Sequence, residues 1–249
     1  MNKFLAFRQL FILFLFASSF ASPIASPAWA GDVLVLNTTG QPPLNTQELT
    51  GFMDLISSEA FKRIGITLNT VQLPAERGLK NSNAGIEDGE MSRVSGLEKK
   101  YTNLIQVPEK IMDWDFVAFS PLNITLENGW SDLAPYSLAY INGWKILEKN
   151  INFQGVIKVR NHQQLFDLLK KQRSDIVIYE RWSGLLAKFN NNLTNISVLT
   201  PPLARKAMYI YLHKKHKELV TPLSKALLAM KNDGTYQKIF HQTLSGLEN

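Results

Sequence analysis

The segment Val33-Leu34-Val35-Leu36-Asn37 is an apolar run closed by the polar, proline-containing loop Thr38–Pro43. This combination is typical of a buried strand that ends in a loop. Apolar residues then recur at helical spacing through Gly51–Ile64, and Gly65 stands where a helix would end. Ile66–Leu73 returns to an alternating pattern, which favours a second strand. Because strand, helix and strand follow one another so closely, the sequence predicts a parallel β-α-β unit and an α/β fold.

Two arginines follow this unit. The stretch Leu73-Pro74-Ala75-Glu76-Arg77-Gly78-Leu79-Lys80 predicts a short helix that carries Arg77, and Glu90–Val94 predicts a further strand that ends near Arg93. Such folds bind ligands at the open edge where parallel strands end, so we expect this stretch to form one wall of a ligand cleft. A guanidinium group binds carboxylate or phosphate through two parallel hydrogen bonds, which suits a small anionic ligand. The alternative is that each arginine is a surface residue paired with an acid such as Glu76.

A second α/β pattern begins after the polar, turn-rich segment Pro121–Asn128. Its strands and helices alternate up to the buried strand Asp175–Tyr179 and the helix after it. Thr200-Pro201-Pro202 then makes a second crossing, and a strand and two helices finish the chain. A chain that leaves one lobe and returns to it predicts two lobes, a double hinge and a cleft between them. The pattern by itself also allows a single doubly wound sheet.

The N-terminal thirty residues have the three parts of a secretory signal. A positive start is followed by the apolar run Leu10–Ala21 and by Ala28-Trp29-Ala30. We predict that residues 1–30 are a cleaved signal peptide and that the mature protein is periplasmic or extracellular. An uncleaved anchor is the alternative, but the apolar run is too short to span a bilayer. The predicted lobes are residues 31–121 with 203–249, and residues 122–202 including the crossings.

The composition excludes several chemistries. The chain has no cysteine, so disulfides, a cysteine nucleophile and cysteine-ligated metal are excluded. The net charge of +6 is mild and its basic residues are scattered, so nucleic-acid binding is not supported. The four histidines form no metal motif, there is no nucleophile turn or phosphate loop, and we expect Asp113 and Asp115 not to share a site. We therefore predict no catalytic residue, no metal and no cofactor; an unusual hydrolase is the alternative.

Several segments spread over most of the chain carry a family resemblance: Gln41-Pro42-Pro43-Leu44, Gly85–Glu90, Val107-Pro108-Glu109, Ser174–Ile178 and Ala229–Ile239. In their order and spacing they resemble the bacterial extracellular solute-binding proteins of family 3, the periplasmic binding proteins that serve ABC importers of amino acids. The resemblance implies an α/β fold of two lobes. Each lobe would be a mostly parallel sheet flanked by helices, and a two-crossing hinge would join them.

The chain departs from the family pattern where an arginine usually grips the α-carboxylate of the ligand. The matching segment here is Ser95–Lys100, in which Lys100 stands at that place. The sequence therefore looks like a divergent branch in which Arg77 and Arg93 take over the carboxylate. Glu180 keeps the acid that the family uses for the ligand's ammonium group. The alternative for Glu180 is compensation of charge at a helix N-terminus.

Aromatic residues complete the predicted site. Trp114, Phe119 and Trp144 are candidates, but a buried aromatic residue is most often core, and we favour Tyr140 and Trp182 for the cleft. With the arginines and Glu180, the resemblance implies a monomer that captures a small polar, amino-acid-like or carboxylate-bearing molecule for an ABC permease. A ligand-sensing accessory protein that docks on a membrane receptor is the alternative. An exported enzyme is the third hypothesis.

Overall fold

The computed structural model describes residues 33–248, so the predicted signal peptide lies outside the described residues. The first part of the described chain contains β1 (Val33–Thr38), α1 (Phe52–Lys62), β2 (Thr67–Gln72), α2 (Ala75–Ala84), β3 (Gly89–Arg93), β4 (Leu104–Gln106) and β5 (Met112–Ser120). The middle part contains β6 (Leu138–Ile141), α3 (Lys145–Asn150), β7 (Ile157–Val159), α4 (His162–Lys170), β8 (Ile176–Glu180), α5 (Arg181–Asn190) and β9 (Ser197–Val198). The last part contains β10 (Ala204–His213), α6 (Val220–Asn232) and α7 (Thr235–Thr243). Short 3-10 helices cover Leu97–Lys99, Gly129–Leu133, Lys214–Leu219 and Ser245–Leu247.

Local chemistry sets several of the helix ends. Asp54 in the first turn of α1 accepts the N–H of Gly51, which fixes the start of that helix. The side chain of Asn161 accepts the N–H of Gln164 at 2.9 Å, so Asn161 caps α4. Gly85 ends α2 with a positive φ of 77°, a conformation that glycine adopts without strain.

The strands form one mixed sheet with two halves. In the order of the sheet, the strands are β2-β1-β3-β10-β5-β8-β6-β7, with β4 beside β10 and β9 beside β5. In lobe 1, β1 runs parallel to β2 and β3, and in lobe 2, β6 runs parallel to β7 and β8. The long strands β5 and β10 are antiparallel to each other and lie between the halves. This arrangement confirms the predicted α/β fold class.

The two crossings lie within β5 and β10. Met112–Phe116 pairs with Ala204–Met208, and the rest of β5 pairs with β8 of lobe 2, whereas the rest of β10 pairs with β3 and β4 of lobe 1. The sequence placed the crossings in segments 121–128 and 200–202, but both segments lie together in lobe 2, where Leu126 N donates to Thr200 O. The predicted and observed crossings differ because an apolar strand has the same residue pattern whether it lies within one lobe or joins two.

The larger hydrophobic cluster runs through both lobes. It includes Phe52 and Phe61 of α1 and continues to Phe166 and Tyr179 of lobe 2. A second cluster fills the other face of the lobe 2 sheet around Tyr140. No helix within residues 33–248 is both long and apolar enough to cross a membrane.

Candidate functional site

Two neighbouring cavities lie between the lobes and together form one cleft. The large cleft cavity has a volume of about 880 Å³ and lies between the loops after β1 and β2 on one side and α4 and α5 on the other; its side chains include Thr38, Gln41, Asn45, Glu48, Thr70, Gln72, His162, Tyr179, Ser183 and Asn190. The small cleft cavity has a volume of about 460 Å³ and is lined by Thr39, Gln41, Gln72, Leu73, Pro74, Ala75, Trp114 and Trp144. Gln41 and Gln72 line both cavities, so the two spaces share a wall. Gln72 also donates to the carbonyl of Gly40, which fixes the loop after β1 against β2.

Arg93, at the end of β3, does not line the small cleft cavity itself but contacts two residues that do. Its Nε donates to Glu90 Oε2 at 2.6 Å, and its two terminal nitrogens contact Thr39 Oγ1 and Ala75 O, each at 3.3 Å. Both of the latter residues line the small cleft cavity. The bond to Glu90 is short and well buried, whereas the two outer contacts are long and therefore weak. The guanidinium is thus anchored at one end and has two terminal nitrogens near the cavity for a ligand.

A buried network of polar side chains holds this arginine in position. Glu90 is fully buried, and its second oxygen accepts from Ser82 Oγ, which in turn accepts from Asn37 Nδ2 at 2.7 Å. Burial raises the pKa of Glu90, and Arg93 opposes that rise by favouring the charged carboxylate. The network joins β1, α2 and β3, so it holds Arg93 in one position relative to the sheet edge.

The N-terminus of α2 meets the same cavity. Leu73, Pro74 and Ala75 line the small cleft cavity, and α2 begins at Ala75. The first N–H groups of a helix have no partner within the helix, and the helix dipole makes that end positive. Arg77 lies one turn into α2, is exposed, and makes no ion pair or hydrogen bond with any described residue. Arg77 and Arg93 therefore belong to the same part of lobe 1, but only Arg93 is in contact with residues that line the cleft.

Lobe 2 contributes an aromatic wall. Trp144 stacks on Tyr179 with ring centroids 5.1 Å apart and an angle of 21° between the rings, and the edge of Phe116 meets Trp144 at 5.5 Å. His162 stacks on the same Tyr179, at 6.5 Å. Trp114 on β5 completes the wall, and its buried Nε1 has no hydrogen-bond partner among residues 33–248. Trp114 therefore lines the cavity with other atoms of its ring, and its Nε1 is buried.

The structure places Glu180 at the start of α5. Its carboxylate accepts the N–H of Trp182 at 3.0 Å and of Ser183 at 2.8 Å, so it caps the helix and is almost fully buried. Burial raises the pKa of Glu180 to about 7, although the two N–H bonds act in the opposite direction. The neighbouring Tyr179 and Ser183 line the large cleft cavity, whereas Glu180 does not. A ligand-binding role for Glu180 stays a prediction.

The two predicted aromatic ligand residues lie away from the cleft cavities. Tyr140 is fully buried in the lobe 2 core, where Lys158 Nζ lies 5.5 Å from the centroid of its ring. Trp182 is also buried and meets Phe240 edge-on at 5.4 Å. It lines a third space, the hinge cavity, of about 540 Å³. Their roles in ligand binding likewise stay predictions, whereas Trp114 and Trp144 line the small cleft cavity.

The hinge cavity corrects one sequence-based expectation. Asp113 and Asp115 both line it, although we expected them not to share a site. Residues two apart in a regular strand point to the same face, so the expectation was wrong. Asp115 forms a bidentate ion pair with Arg205, whose nitrogens lie 2.6 and 2.8 Å from the two carboxylate oxygens. Arg181 Nε lies 3.5 Å from the same carboxylate. These contacts lower the pKa of Asp115 against the opposing effect of burial. The pair joins the two crossing strands on the face away from the cleft.

Comparisons with known proteins give a relative in sequence and several relatives in structure. No protein-family model matches the chain. An uncharacterised protein of Shewanella oneidensis is 26% identical over 206 residues, which cover 79% of this chain and 77% of that protein. The L-glutamate complex of the GluR0 ligand-binding core has a TM-score of 0.72 at 14% identity and covers 88% of this chain and all of that one.

Two further solved structures agree. The arginine-binding protein ArgBP from T. maritima has a TM-score of 0.66 at 16% identity, over 85% of this chain and 94% of that one. A histidine kinase sensor domain with similarity to periplasmic binding proteins also has a TM-score of 0.66, at 15% identity, over 87% and 97%. The chain has the two-lobed periplasmic-binding-protein fold. The predicted resemblance is therefore confirmed at the level of the fold.

Within this periplasmic-binding-protein fold, the sequence located one wall of the cleft better than the other. The stretch from Leu73 to Arg93 was expected at the cleft, and its first residues line the small cleft cavity. The sequence missed Gln41, Gln72 and His162 as lining residues. Gln41 stands in a segment that carried the family resemblance, and this signal could have identified it. The position of His162 at the start of a surface helix gave no such signal.

Metal binding has no support in the described part of the chain. Among residues 33–248, no group of three or more histidine, aspartate or glutamate side chains is arranged to hold a metal ion.

Proposed function

We propose that this protein is an exported solute-binding protein that captures a small polar molecule, either amino-acid-like or carboxylate-bearing, between its lobes. One observation carries the proposal: Arg93, anchored by buried Glu90, meets the N-terminus of α2 at a cavity between two lobes. A guanidinium group and a helix N-terminus both favour an anion, and a carboxylate can use both. The solved structures with this fold include proteins named for binding arginine or glutamate, which supports the choice of ligand class.

Capture in this fold depends on closure of the lobes. The lobes are joined by two antiparallel strands, β5 and β10, and polar groups from both lobes line the cleft. A ligand that contacts both lobes favours the closed form by the difference between its affinities for the closed and open forms. We propose that the closed monomer then delivers its ligand to the permease of an ABC importer, and that it binds its ligand without turnover.

A second candidate is a ligand-sensing accessory protein that docks on a membrane receptor. The similarity to a histidine kinase sensor domain favours this alternative. Genomic neighbours separate the two hypotheses. A permease and an ATPase gene beside this one favour import, whereas a sensor kinase or a cyclase favours signalling.

A thermal-shift screen tests the binding proposal. The mature chain from Gly31 is incubated with panels of amino acids, small carboxylates and polyamines, and the unfolding midpoint is recorded. A ligand that binds only the folded protein at about 100 times its Kd stabilises it by about 2.7 kcal/mol, which gives a measurable upward shift. We expect a hit among the carboxylate-bearing compounds.

Two results would contradict the proposal. If no compound in the three panels shifts the midpoint, capture of such a molecule is not the function. If the best compound is consumed during incubation, as followed by chromatography of the mixture, the protein is an enzyme rather than a binding protein.

A further inference from the structure

The cleft also specifies what kind of carboxylate it takes. We propose that the ligand is an aromatic carboxylate without an α-ammonium group, held with its carboxylate at Arg93 and its ring against the indoles of Trp114 and Trp144. This inference rests on the proposed function, because it assumes that the cleft binds a small carboxylate. It goes beyond that function by excluding ordinary α-amino acids as the preferred ligands.

The anionic end of the ligand is fixed by the contacts of Arg93. Its two terminal nitrogens make only long contacts of 3.3 Å, to Thr39 Oγ1 and Ala75 O, so a carboxylate can replace them with shorter charge-assisted bonds. The Glu90 contact at Nε stays in place meanwhile and keeps the orientation of the guanidinium. The carboxylate thereby lies at the lobe 1 side of the small cleft cavity, beside Thr39 and Ala75.

The residues that line the rest of that cavity indicate that the ligand carries an aromatic ring. Trp114 and Trp144 line it together with Leu73 and Pro74, so one part of the cavity offers an apolar, aromatic surface beside the polar side chains of Thr39, Gln41 and Gln72. Trp144 is held by its stack on Tyr179, which presents a preformed surface rather than a mobile one. Aromatic surfaces pair favourably with a further ring beyond the area that they bury.

No acidic side chain among the described residues lines this cavity, and we therefore infer that the ligand has no α-ammonium group. None of the described residues that line the small cleft cavity carries a charge. Glu180 is used as the cap of α5, and Glu90 is used by Arg93 and Ser82. Glu76, the acid in the first turn of α2, contacts Lys80 and Lys100.

A positive group next to the carboxylate would therefore lose its water without gaining a carboxylate partner, and a cation–π contact with an indole would offset only part of that cost. Glu48 lies in the large cleft cavity, beyond the shared glutamines, and does not line the small one.

Matched ligand pairs test the inference by isothermal titration calorimetry on the mature chain. Phenylacetate is compared with phenylglycine, and indole-3-acetate with indol-3-ylglycine, so that each pair differs only by the α-ammonium group. Cyclohexylacetate tests the aromatic ring with the same carboxylate. We expect the arylacetates to bind at least about tenfold more tightly than the amino acids and than cyclohexylacetate, equivalent to about 1.4 kcal/mol.

Variants of the two tryptophans test the place of the ring. Trp114→Leu and Trp144→Leu are each expected to weaken arylacetate binding by about tenfold, whereas Trp144→Phe, which keeps a ring, restores most of it. Trp130→Leu is the matched control, because Trp130 lies in the 3-10 helix Gly129–Leu133 and lines neither cleft cavity. Thermal unfolding of each variant without ligand shows that the fold is retained.

The outcomes separate this inference from the proposed function. If phenylglycine or indol-3-ylglycine binds as tightly as its arylacetate partner, the inference is overturned and the solute-binding function stands. Equal binding of cyclohexylacetate, or unchanged binding in both tryptophan-to-leucine variants, also overturns it. If no carboxylate and no amino acid binds at all, the proposed function itself fails.

Discussion

At the scale of single residues, the site depends on one buried ion pair. Arg93 is 12% exposed and Glu90 is fully buried, with 2.6 Å between Arg93 Nε and Glu90 Oε2. An arginine at a strand end could bind only the ligand, or it could stabilise the fold. Here it stabilises the fold, because the carboxylate of Glu90 would be left buried and unpaired without it. We propose that the same arginine also binds the ligand.

Arg93→Ala is expected to lose ligand binding and also to lower the free energy of unfolding, by about 3–5 kcal/mol at neutral pH, because Glu90 becomes an uncompensated buried charge. Urea denaturation and calorimetry measure the two effects. The loss of stability should shrink as the pH falls, since Glu90, whose pKa burial raises, is then protonated.

The double variant Glu90→Gln with Arg93→Gln is the control for this change. It removes both charges at once, so we expect stability close to that of the wild type together with absent binding. Full ligand binding by the double variant would show that the pair is structural only.

Glu180 carries a second prediction at this scale. Its folded pKa of about 7 lies above the ordinary 4.5, so the folded state binds the proton more tightly than the unfolded state. Its contribution to stability is therefore full below pH 4.5 and is lost as the pH rises to about 7.

We expect the free energy of unfolding of the wild type to fall by about 3 kcal/mol more over this range than that of Glu180→Gln. Denaturant titrations at a series of pH values measure it. Parallel pH profiles for the two proteins would refute the prediction.

At the scale of elements, α2 shows how closely a helix must approach the sheet to form the site. A Cβ added at Gly78 would lie 2.3 Å from Asn37 Oδ1 and 3.1 Å from Glu90 Oε1. Glycine at this position therefore allows α2 to pack closely against the polar network that holds Arg93. The sequence predicted the helix but gave no sign of this contact, because the partners lie on β1 and β3.

Gly78→Ala is expected to lower the free energy of unfolding by about 1–3 kcal/mol, because overpacking displaces Asn37 and Glu90. This loss exceeds the gain of about 1 kcal/mol that alanine brings to a helix interior. Urea denaturation measures the difference. Gly246→Ala, where a Cβ would meet nothing within 4 Å, is the control and should stay within about 0.5 kcal/mol of the wild type. A stabilised Gly78→Ala protein would show that α2 can move outward freely.

At the scale of the whole molecule, the hinge strands separate two faces with opposite roles. Trp114 of β5 lines the small cleft cavity, whereas Asp113 and Asp115 line the hinge cavity, because neighbouring residues of a strand point to opposite faces. On the hinge side, Trp182 of lobe 2 meets Phe240 of lobe 1. A rotation that closes the cleft moves the lobes apart on this opposite face, so the aromatic pair favours the open form.

Phe240→Leu is therefore expected to raise the affinity for the best compound of the thermal screen by about 2- to 10-fold, since an aromatic pair contributes about 0.5–1.5 kcal/mol. Calorimetry gives the affinity, and small-angle X-ray scattering should show a smaller radius of gyration without ligand. Leu228→Ala, at an exposed position on α6, is the control. A weaker affinity in a variant that still unfolds cooperatively would contradict this view of the hinge.

The sequence by itself determined the order and type of nearly every strand and helix, because apolar periodicity and end signals such as Gly65 are local. It also determined the fold class and one wall of the cleft. Only the tertiary structure decided that the crossings lie inside β5 and β10, that Glu180 caps a helix, and that Trp114 and Trp144 rather than Tyr140 and Trp182 face the cleft. These outcomes depend on which faces of distant elements meet, and no pattern within a single segment contains that information.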